Sequence, residues 1–281
     1  MTQLDTIKSR YQKLKDQGLN LDMTRGKPSP EQLDLSLGML DLVTKEDYKS
    51  AEGIDCRNYG GLDGLKETKA LFADFLEVGT TEIIIGGNSS LALMHDTMVN
   101  LMLHGAGGQT PWIQQKPKFL CPAPGYDRHF SVCQNLGIEL IRIDNLAEGP
   151  DMDQVEQLVA TDASIKGIWI VPKYGNPTGA VCSDEVVQRL AKMKIAATDF
   201  RIFWDNAYTV HHLGEAQPEL TNILDACKAA GNPDRVLIFG STSKITFAGA
   251  GLAMMGGSEA NMDWVRPVSY THLTLPTTPY V

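Results

Sequence analysis

The sequence predicts an α/β protein in which a mostly parallel sheet lies between two layers of helices. Short apolar runs that are typical of buried strands recur along the chain, for example over residues 83–85 and 236–239. Segments with helical spacing of apolar residues separate these runs, and such alternation is typical of parallel sheets covered on both faces. Small and polar residues follow several of the runs, where open α/β sheets keep their sites.

The predicted elements follow one another in a regular order. An amphipathic helix over residues 1–16 comes first, and a loop-like segment over 19–37 follows it. We expect strands over residues 83–85, 118–121, 139–143, 167–171, 202–204 and 236–239. We expect helices over residues 62–76, 91–103, 127–136, 152–159, 184–196 and 219–229. The chain contains no internal repeat.

Composition restricts the class of protein. The chain has 281 residues, of which 43% are hydrophobic and 21% charged, with a formal net charge of −9. This acidic balance, without any basic run, argues against a nucleic-acid partner. The first helix lacks the apolar core of a signal peptide, and no apolar stretch approaches the ~20 residues of a membrane span. The five cysteines form no CxxC motif, so we expect buried thiols in a protein of the reducing cytoplasm.

The stretch GGNSS at residues 86–90 lies between a predicted strand and a predicted helix. Backbone N–H groups and hydroxyls at a helix N-terminus bind anions, so Asn88, Ser89 and Ser90 are candidates for a phosphate site. The stretch is neither a Walker A loop nor a GxGxxG fingerprint. Asn and Ser are also common helix N-caps, and that interpretation stays open.

Two further motifs follow predicted strands. In PKYGNPTGAV, after the strand at 167–171, Asn176 offers an amide donor and acceptor at the edge of the sheet, although a turn alone would explain this composition. In FWDNAYTVHHL, Asp205 ends a strand and is able to pair with a cation in a cleft, and Tyr208 follows it. The alternative for Asp205 is a helix-capping role beside a core tyrosine.

Two adjacent histidines close the second of these motifs. His211 and His212 have no carboxylate or Cys partner at metal-ligand spacing. We therefore interpret them as loop residues and expect no metal site.

The stretch STSKITFAGAG at residues 241–251 carries the most specific signal. Lys244 follows the apolar run at 236–240, so it lies just beyond the end of a predicted buried strand. A lysine with a pKa near ~10.4 is almost fully protonated at neutral pH. A nucleophilic lysine must therefore be partly desolvated or lie near another cation. With the hydroxyls of Ser241 and Ser243 beside it, Lys244 is a candidate Schiff-base lysine.

One ligand would bind to all of these candidate residues. The hydroxyl groups suit a phosphate, Lys244 suits an aldehyde, Asp205 suits a basic ring nitrogen, and Asn176 and Tyr208 suit a phenolic oxygen. Pyridoxal 5′-phosphate carries all four groups, and its protonated ring stabilises a carbanion at the substrate Cα.

The motifs GNPTG, DNAY and STSK, in this order, resemble the fold-type I pyridoxal-phosphate aminotransferases of class I/II. RNYGGLDGLKE, GGNSSLALMHD and CPAPGYDRHF resemble the actinobacterial-type aspartate aminotransferase group, and the resemblance covers residues 19–266. It implies that Lys244 forms the Schiff base and moves the Cα proton, that Asp205 holds the pyridine nitrogen, and that Asn176 and Tyr208 contact the ring 3′-oxygen. It also implies further cofactor contacts from Tyr126 on the ring face and from Asn88, Ser89, Ser241 and Ser243 at the phosphate.

The resemblance further implies a homodimer, in which Tyr59 reaches the phosphate of the partner subunit. Gly26 would line the site of the substrate carboxylate, together with Asn176. Two arginines of the family pattern are not found. The stretch at 248–252 lacks the phosphate-binding arginine of many relatives, and the arginine that binds the substrate α-carboxylate normally lies in a small C-terminal domain beyond residue 266.

The expected organisation has three parts. Residues 1–45 form an N-terminal helix and substrate-side segment that belongs to the small domain, and residues 46–266 form the large cofactor-binding domain. Residues 267–281 read as a non-native tail that resembles a translated sequencing adapter, so we expect the small C-terminal domain to be largely missing.

The implied function is transfer of the amino group of an L-amino acid, aspartate or glutamate by resemblance, to a 2-oxo acid. A lyase or decarboxylase on the same fold is an alternative, because fold does not fix the reaction. A non-catalytic pyridoxal-phosphate-binding regulatory module is another, and it predicts a DNA-binding domain and a basic patch that this acidic chain does not offer. The last alternative is that the chain is an inactive remnant of a longer enzyme.

Overall fold

The computed structural model describes residues 2–21, 27–58, 61–215 and 217–273, with side chains described up to residue 267. The chain divides into two compact units, Met1–Leu37 and Gly38–Val281. The described residues of the first unit form two α-helices, and those of the second form an eight-stranded sheet with helices on both faces.

The helices of the first unit begin at strong capping signals. Helix α1 (Gln3–Asp16) starts with a capping box between Thr2 and Asp5, which confirms the amphipathic helix predicted from the sequence. Helix α2 (Pro30–Asp34) starts in the same way, with Ser29 as N-cap and proline in the first turn. The loop predicted over 19–37 is therefore wrong for this stretch, because a short helix begins where Ser29 caps the backbone.

In the second unit, the helices are α3 (Lys66–Leu76), α4 (Ser90–His104), α5 (Asp127–Asn135), α6 (Met152–Val159), α7 (Asp184–Lys192), α8 (Ile223–Ala229) and α9 (Glu259–Leu273). The strands are β1 (Ile83–Ile85), β2 (Lys118–Ala123), β3 (Glu139–Leu146), β4 (Gly149–Pro150), β5 (Ile165–Ile170), β6 (Arg201–Asp205), β7 (Val236–Ser241) and β8 (Ala253–Gly257).

The sheet has the strand order β1-β8-β7-β6-β5-β2-β3-β4. Strands β7, β6, β5, β2 and β3 run parallel, whereas β8 is antiparallel to both of its neighbours and β4 forms a short antiparallel pair with β3. Ile170 pairs with Trp204, and Asp205 pairs with Phe239, so β5, β6 and β7 end at the same edge. The predicted α/β fold with a mostly parallel sheet is confirmed.

The strands bury both faces because their side chains alternate. Ile168 and Ile170 of β5 pack in one apolar cluster with α6, α7 and α8, whereas Trp169 between them packs in the other cluster with α4 and α5. Phe203 of β6 and Phe239 of β7 pack in the same second cluster as Trp169. The result is a three-layer α/β/α arrangement, as expected from runs that are apolar on every residue.

Several element boundaries differ from the predicted ones. Strand β8 was not predicted, since its sequence AMMGG is short, ends in two glycines and has weak strand propensity. It forms because its backbone completes hydrogen bonding between β1 and β7. Helix α3 begins at Lys66 rather than 62, and α8 at Ile223 rather than 219, where Asn222 provides the N-cap.

Helix α9 continues past Arg266 and through Pro267 to Leu273, so it runs into the segment expected to be a non-native tail. Its first part is anchored to the rest of the unit, because the Arg266 Nε donates to Asp63 Oδ2 at 3.2 Å. The proposed boundaries at 45 and 266 stay predictions.

All five cysteines are free thiols. Cys121, Cys133, Cys182 and Cys227 are buried as expected, but Cys56 is exposed, and the expectation is wrong for that residue. Within the described ranges, no helix combines the length and the apolar composition that crossing a bilayer requires.

Gly167 in β5 provides a test of the packing between the layers. A Cβ added there would lie 2.5 Å from the carbonyl oxygen of Arg201 and against the ring of Phe119. We expect Gly167→Ala to lower the free energy of unfolding by about 2–3 kcal/mol, because the close-packed core has no room for a methyl group. Urea denaturation measures this change. Gly214→Ala, where a Cβ meets nothing within 4 Å, is the control. Equal losses in the two variants would contradict the packing argument.

Candidate active site

The loops that follow the parallel strands carry most of the predicted site residues. Asn176 follows β5, Asp205 ends β6 with Tyr208 beyond it, and Lys244 follows β7. Tyr126 lies between β2 and α5. Because these strands end at one edge of the sheet, the structure brings together residues that lie far apart in the sequence.

Asp205 is a buried carboxylate at this edge. Its side chain is 5% exposed, and Oδ2 accepts a hydrogen bond from His129 Nε2 at 2.9 Å. The other oxygen, Oδ1, is buried and has no hydrogen-bond partner within the described part of the chain. The helix-capping alternative is wrong, since Asp205 ends a strand and α8 is capped by Asn222.

His129 and Trp169 support Asp205, and the sequence analysis did not single out either of them. The His129 ring stacks on Trp169 with centroids 4.4 Å apart and an angle of 9° between the planes. The Tyr126 ring meets the His129 ring edge-on at 5.0 Å. A signal existed in the sequence, because His129 follows Tyr126 at i+3 and the two therefore share one side of the first turn of α5.

Tyr208 and Asn176 form the second pair of the site. Burial raises the pKa of the Tyr208 phenol, and the charges of Asp205 and Tyr126 add to the rise. A hydrogen bond from the Asn176 side chain to the phenol acts in the opposite direction. The phenol is therefore held in its protonated form at neutral pH, able to donate a hydrogen bond to a ligand oxygen.

Lys244 lies against the same tyrosine. Its Nζ is 4.9 Å from the centroid of the Tyr208 ring, and the residue as a whole is exposed. The partial desolvation expected for a nucleophilic lysine is therefore not present in the chain alone. The position beyond the end of β7 is as predicted.

Small polar residues of two distant loops meet beside Lys244. Ser243 Oγ donates to the Asn88 carbonyl oxygen at 3.2 Å, and the Ser241 and Ser243 hydroxyls lie 3.1 Å apart. Asn88 Nδ2 donates to the carbonyl oxygen of Gly249 at 3.3 Å. The predicted phosphate residues are thus neighbours in space at the start of α4.

Ser89 and Ser90 occupy the helix N-terminus itself. Ser89 is the N-cap of α4, and its Oγ accepts from the amide of Ala92 at 3.3 Å, while Ser90 is the first helical residue. The capping interpretation is confirmed for Ser89. Capping and anion binding are compatible, because the remaining free N–H groups of the first turn still point out of the helix.

Two predicted residues lie outside the described part of the chain, namely Gly26 and Tyr59. Their expected roles at the substrate carboxylate and at the phosphate of a partner subunit stay predictions.

The sequence matches the family model for aspartate amino-transferase over residues 2–274. The chain belongs to this family. An aspartate aminotransferase of Corynebacterium glutamicum is 45% identical over 92% of this chain and 60% of its own length. A Mycolicibacterium smegmatis protein named as an aminotransferase is 50% identical over 94% of this chain and 63% of its own length.

The fold agrees with a solved structure of the family. The crystal structure of an aspartate transaminase from C. glutamicum matches with a TM-score of 0.88 and 44% identity, over 95% of this chain and 63% of that chain. The present chain therefore spans less than two thirds of the length of these relatives, and it carries the fold of the part it covers.

A pH titration tests the environment of Tyr208. The tyrosinate absorption of the unaltered protein is compared with that of Tyr208→Phe as the pH rises. We expect the two to differ only above pH about 10, the usual tyrosine range, because burial and the charge of Asp205 oppose ionisation of the Tyr208 phenol. Since folding raises the pKa of Tyr208, the stability that this residue contributes is complete below that range and is lost as the pH rises through its folded-state pKa.

Two substitutions beside Tyr208 serve as controls, because they are expected to shift its pKa in opposite directions. Asn176→Ala removes the hydrogen bond that favours the ionised phenol and is expected to delay the ionisation of Tyr208, whereas Asp205→Asn removes a repelling charge and is expected to advance it. Shifts in the same direction for both variants would contradict the assignment.

Proposed function

We propose that the protein is a pyridoxal-phosphate-dependent aminotransferase that moves the amino group of an L-amino acid, aspartate or glutamate, to a 2-oxo acid. The observation that carries the proposal is the buried carboxylate of Asp205, which is paired on one oxygen and unpartnered on the other within the described residues. A buried acceptor without a partner requires a hydrogen-bond donor. A protonated pyridine nitrogen is such a donor, and the groups near Asp205 suit the other parts of the same cofactor.

The remaining residues fit the same cofactor. The Asn88, Ser89, Ser241 and Ser243 group offers hydroxyls and backbone N–H donors for the phosphate, at the start of a 15-residue helix. Tyr208 and Asn176 offer donors for the ring oxygen, and Lys244 offers a primary amine for the aldehyde. The bound cofactor would supply an electron sink for charge that develops at the substrate Cα.

Each residue of this chain then has a distinct task. With the cofactor bound, Asp205 would keep the ring nitrogen protonated by Coulomb attraction, and His129 holds Asp205 in place. Tyr208 and Asn176 would orient the ring through its oxygen. Lys244 would hold the cofactor through its amine, and its Nζ would move a proton at the substrate Cα.

The relatives support the choice of substrate, since both the curated C. glutamicum relative and the solved C. glutamicum structure are named for transamination of aspartate. By the family resemblance, we expect Asn176 to contact the substrate carboxylate as well as the ring oxygen. We expect a cytoplasmic homodimer in which Gly26 and the partner's copy of Tyr59 complete the site.

Reductive trapping tests the lysine assignment. After incubation with pyridoxal phosphate and borohydride, mass spectrometry is expected to locate the adduct on Lys244, and Lys244→Arg is expected to abolish it. Lys173→Arg is the control, because Lys173 lies in the PKYGNPTGAV motif after β5 and is the competing amine of that loop. An adduct that persists on another lysine in Lys244→Arg would show that the assignment is wrong.

The same preparation tests the reaction. Addition of L-aspartate to the cofactor-loaded protein is expected to convert the bound cofactor to its amine form and to release oxaloacetate, which is measured in the supernatant. Cofactor binding without this conversion for either aspartate or glutamate would reject the proposed substrates and retain the binding site.

The role of Asp205 has its own test. We expect Asp205→Asn to weaken cofactor binding by about 100-fold, measured by quenching of tryptophan fluorescence, because a few kcal/mol of charge interaction is lost at an effective dielectric near ~20. Asp225→Asn removes a carboxylate that is 72% exposed on α8 and is expected to bind as the unaltered protein does. An unchanged affinity in Asp205→Asn would contradict the role of the buried carboxylate.

A further inference from the structure

Two adjacent histidines link the loop after β6 to the loops that follow both neighbouring strands. His211 Nε2 lies 2.8 Å from the carbonyl oxygen of Lys244, on the loop after β7. His212 Nδ1 lies 2.9 Å from the hydroxyl of Tyr174, on the loop after β5. The sequence analysis interpreted both as ordinary loop residues, but one of them contacts the reactive lysine through its backbone.

The contact at Lys244 determines which nitrogen of His211 carries the proton. A carbonyl oxygen only accepts, so Nε2 must be the protonated donor, and Nδ1 of the neutral ring is then an acceptor. Nδ1 is buried and has no hydrogen-bond partner among the residues that the structure describes. A buried acceptor of this kind opposes folding, so the bond from Nε2 to Lys244 is kept at a cost in stability.

His211 and the Lys244 side chain also meet on the same tyrosine. The His211 ring stands edge-on to the Tyr208 ring with centroids 5.7 Å apart, and Lys244 Nζ lies 4.9 Å from the Tyr208 centroid. The His211 amide donates to the Tyr208 carbonyl oxygen at 3.1 Å, which places the two rings in one turn. The histidine thus holds the base of the lysine while the tyrosine contacts its tip.

The peptide that joins Lys244 to Ile245 is held by two hydrogen bonds. Its N–H, that of Ile245, donates to the Thr242 carbonyl oxygen at 2.9 Å within the turn. Its carbonyl oxygen, that of Lys244, accepts from His211 at 2.8 Å, so His211 supplies the bond that comes from outside the turn. Because a lysine stem has four flexible carbons, the direction in which it leaves the backbone decides where its amine can reach.

We propose that His211 is a positioning residue for Lys244, acting through the hydrogen bond from its Nε2–H to the lysine carbonyl oxygen. The proposal rests on the proposed function in that it takes Lys244 as the reactive amine. A displacement of about 1 Å at a reacting group can cost about 100-fold in rate. Loss of this bond therefore slows the step in which Lys244 Nζ would bond to the aldehyde carbon of the cofactor while the aldehyde oxygen leaves as water.

The experiment compares three variants of the full chain for the rate at which the borohydride-trapped adduct forms on Lys244. We expect His211→Leu to slow formation by about tenfold or more, since the donor is lost, and His211→Gln to recover most of the rate, because its amide can still donate to the carbonyl. His212→Leu is the matched control, as it removes the same ring from the next position and breaks a contact to a different loop. Thermal unfolding of each cofactor-free variant shows whether the fold is retained.

A second readout does not depend on the cofactor. In the cofactor-free protein, an amine-reactive reagent labels lysines, and mass spectrometry follows the labelling rate of Lys244 relative to Lys192, which lies at the end of α7. This ratio is expected to rise in His211→Leu, where Lys244 leaves the Tyr208 ring, and to stay unchanged in His211→Gln and His212→Leu.

The outcomes separate the two proposals. If the unaltered protein forms no adduct, the proposed function fails, and the labelling ratio still decides the positioning role. If His211→Leu matches the unaltered protein in trapping rate and labelling ratio, the positioning role is wrong. Equal slowing in His211→Leu and His212→Leu would likewise overturn it, since general loosening of the loop would then explain the effect.

Discussion

The half-paired carboxylate of Asp205 is the constraint on which the candidate site depends. Burying a charge is costly unless it is paired and hydrogen bonded. Here one oxygen meets His129 and the other has no partner within the described residues. Asp205 stands at the end of a central strand, where the pairing with β7 and the bond from His129 hold it in place. Such a group is able to receive a cationic donor at low reorganisation cost, and in the proposed function this donor is the ring nitrogen of the cofactor.

The support for Asp205 extends from the site into the core. His129 stacks on Trp169, and the Trp169 ring packs against Phe203 at 4.8 Å and Phe119 at 5.3 Å. The Trp169 Nε1 donates to Cys133 Sγ at 3.3 Å, which fixes the rotation of the indole. One layer of the core therefore positions the imidazole that in turn positions the carboxylate, and the chemistry at the sheet edge is linked to apolar packing beneath it.

The other half of the site is built from contacts between loops. Ser243 and Asn88 join the loop after β7 to the start of α4, and Asn88 also reaches Gly249 in the segment that leads to β8. Strand β8 makes these contacts possible, because it runs antiparallel between β1 and β7 and returns the chain to the side of the residues predicted to bind phosphate. At Gly251, a Cβ would collide with the hydroxyl oxygen of Thr242, so the close approach of these two segments requires glycine.

The local sequence was sufficient to predict most of the helices and strands and the kinds of side chain at the site. Apolar runs such as those of β5 and β7 are buried on both faces, and a residue just beyond such a run must lie at the edge of the sheet, which is how Asp205 and Lys244 were identified. The motif order then indicated the family. His129 and Trp169 were missed, because their roles depend on a stack between a helix and a strand that no local pattern encodes.

Only the tertiary structure decided which oxygen of Asp205 has no partner among the described residues, that Lys244 is exposed beside Tyr208, and that His211 bonds to the Lys244 carbonyl oxygen. It also decided the place of β8, whose short glycine-rich sequence has little preference for a strand until two neighbours offer it hydrogen bonds. The physical reason is the same in each case. Periodicity and turn chemistry act over a few residues and are readable in sequence, whereas hydrogen-bond pairing and exposure depend on which distant segments meet.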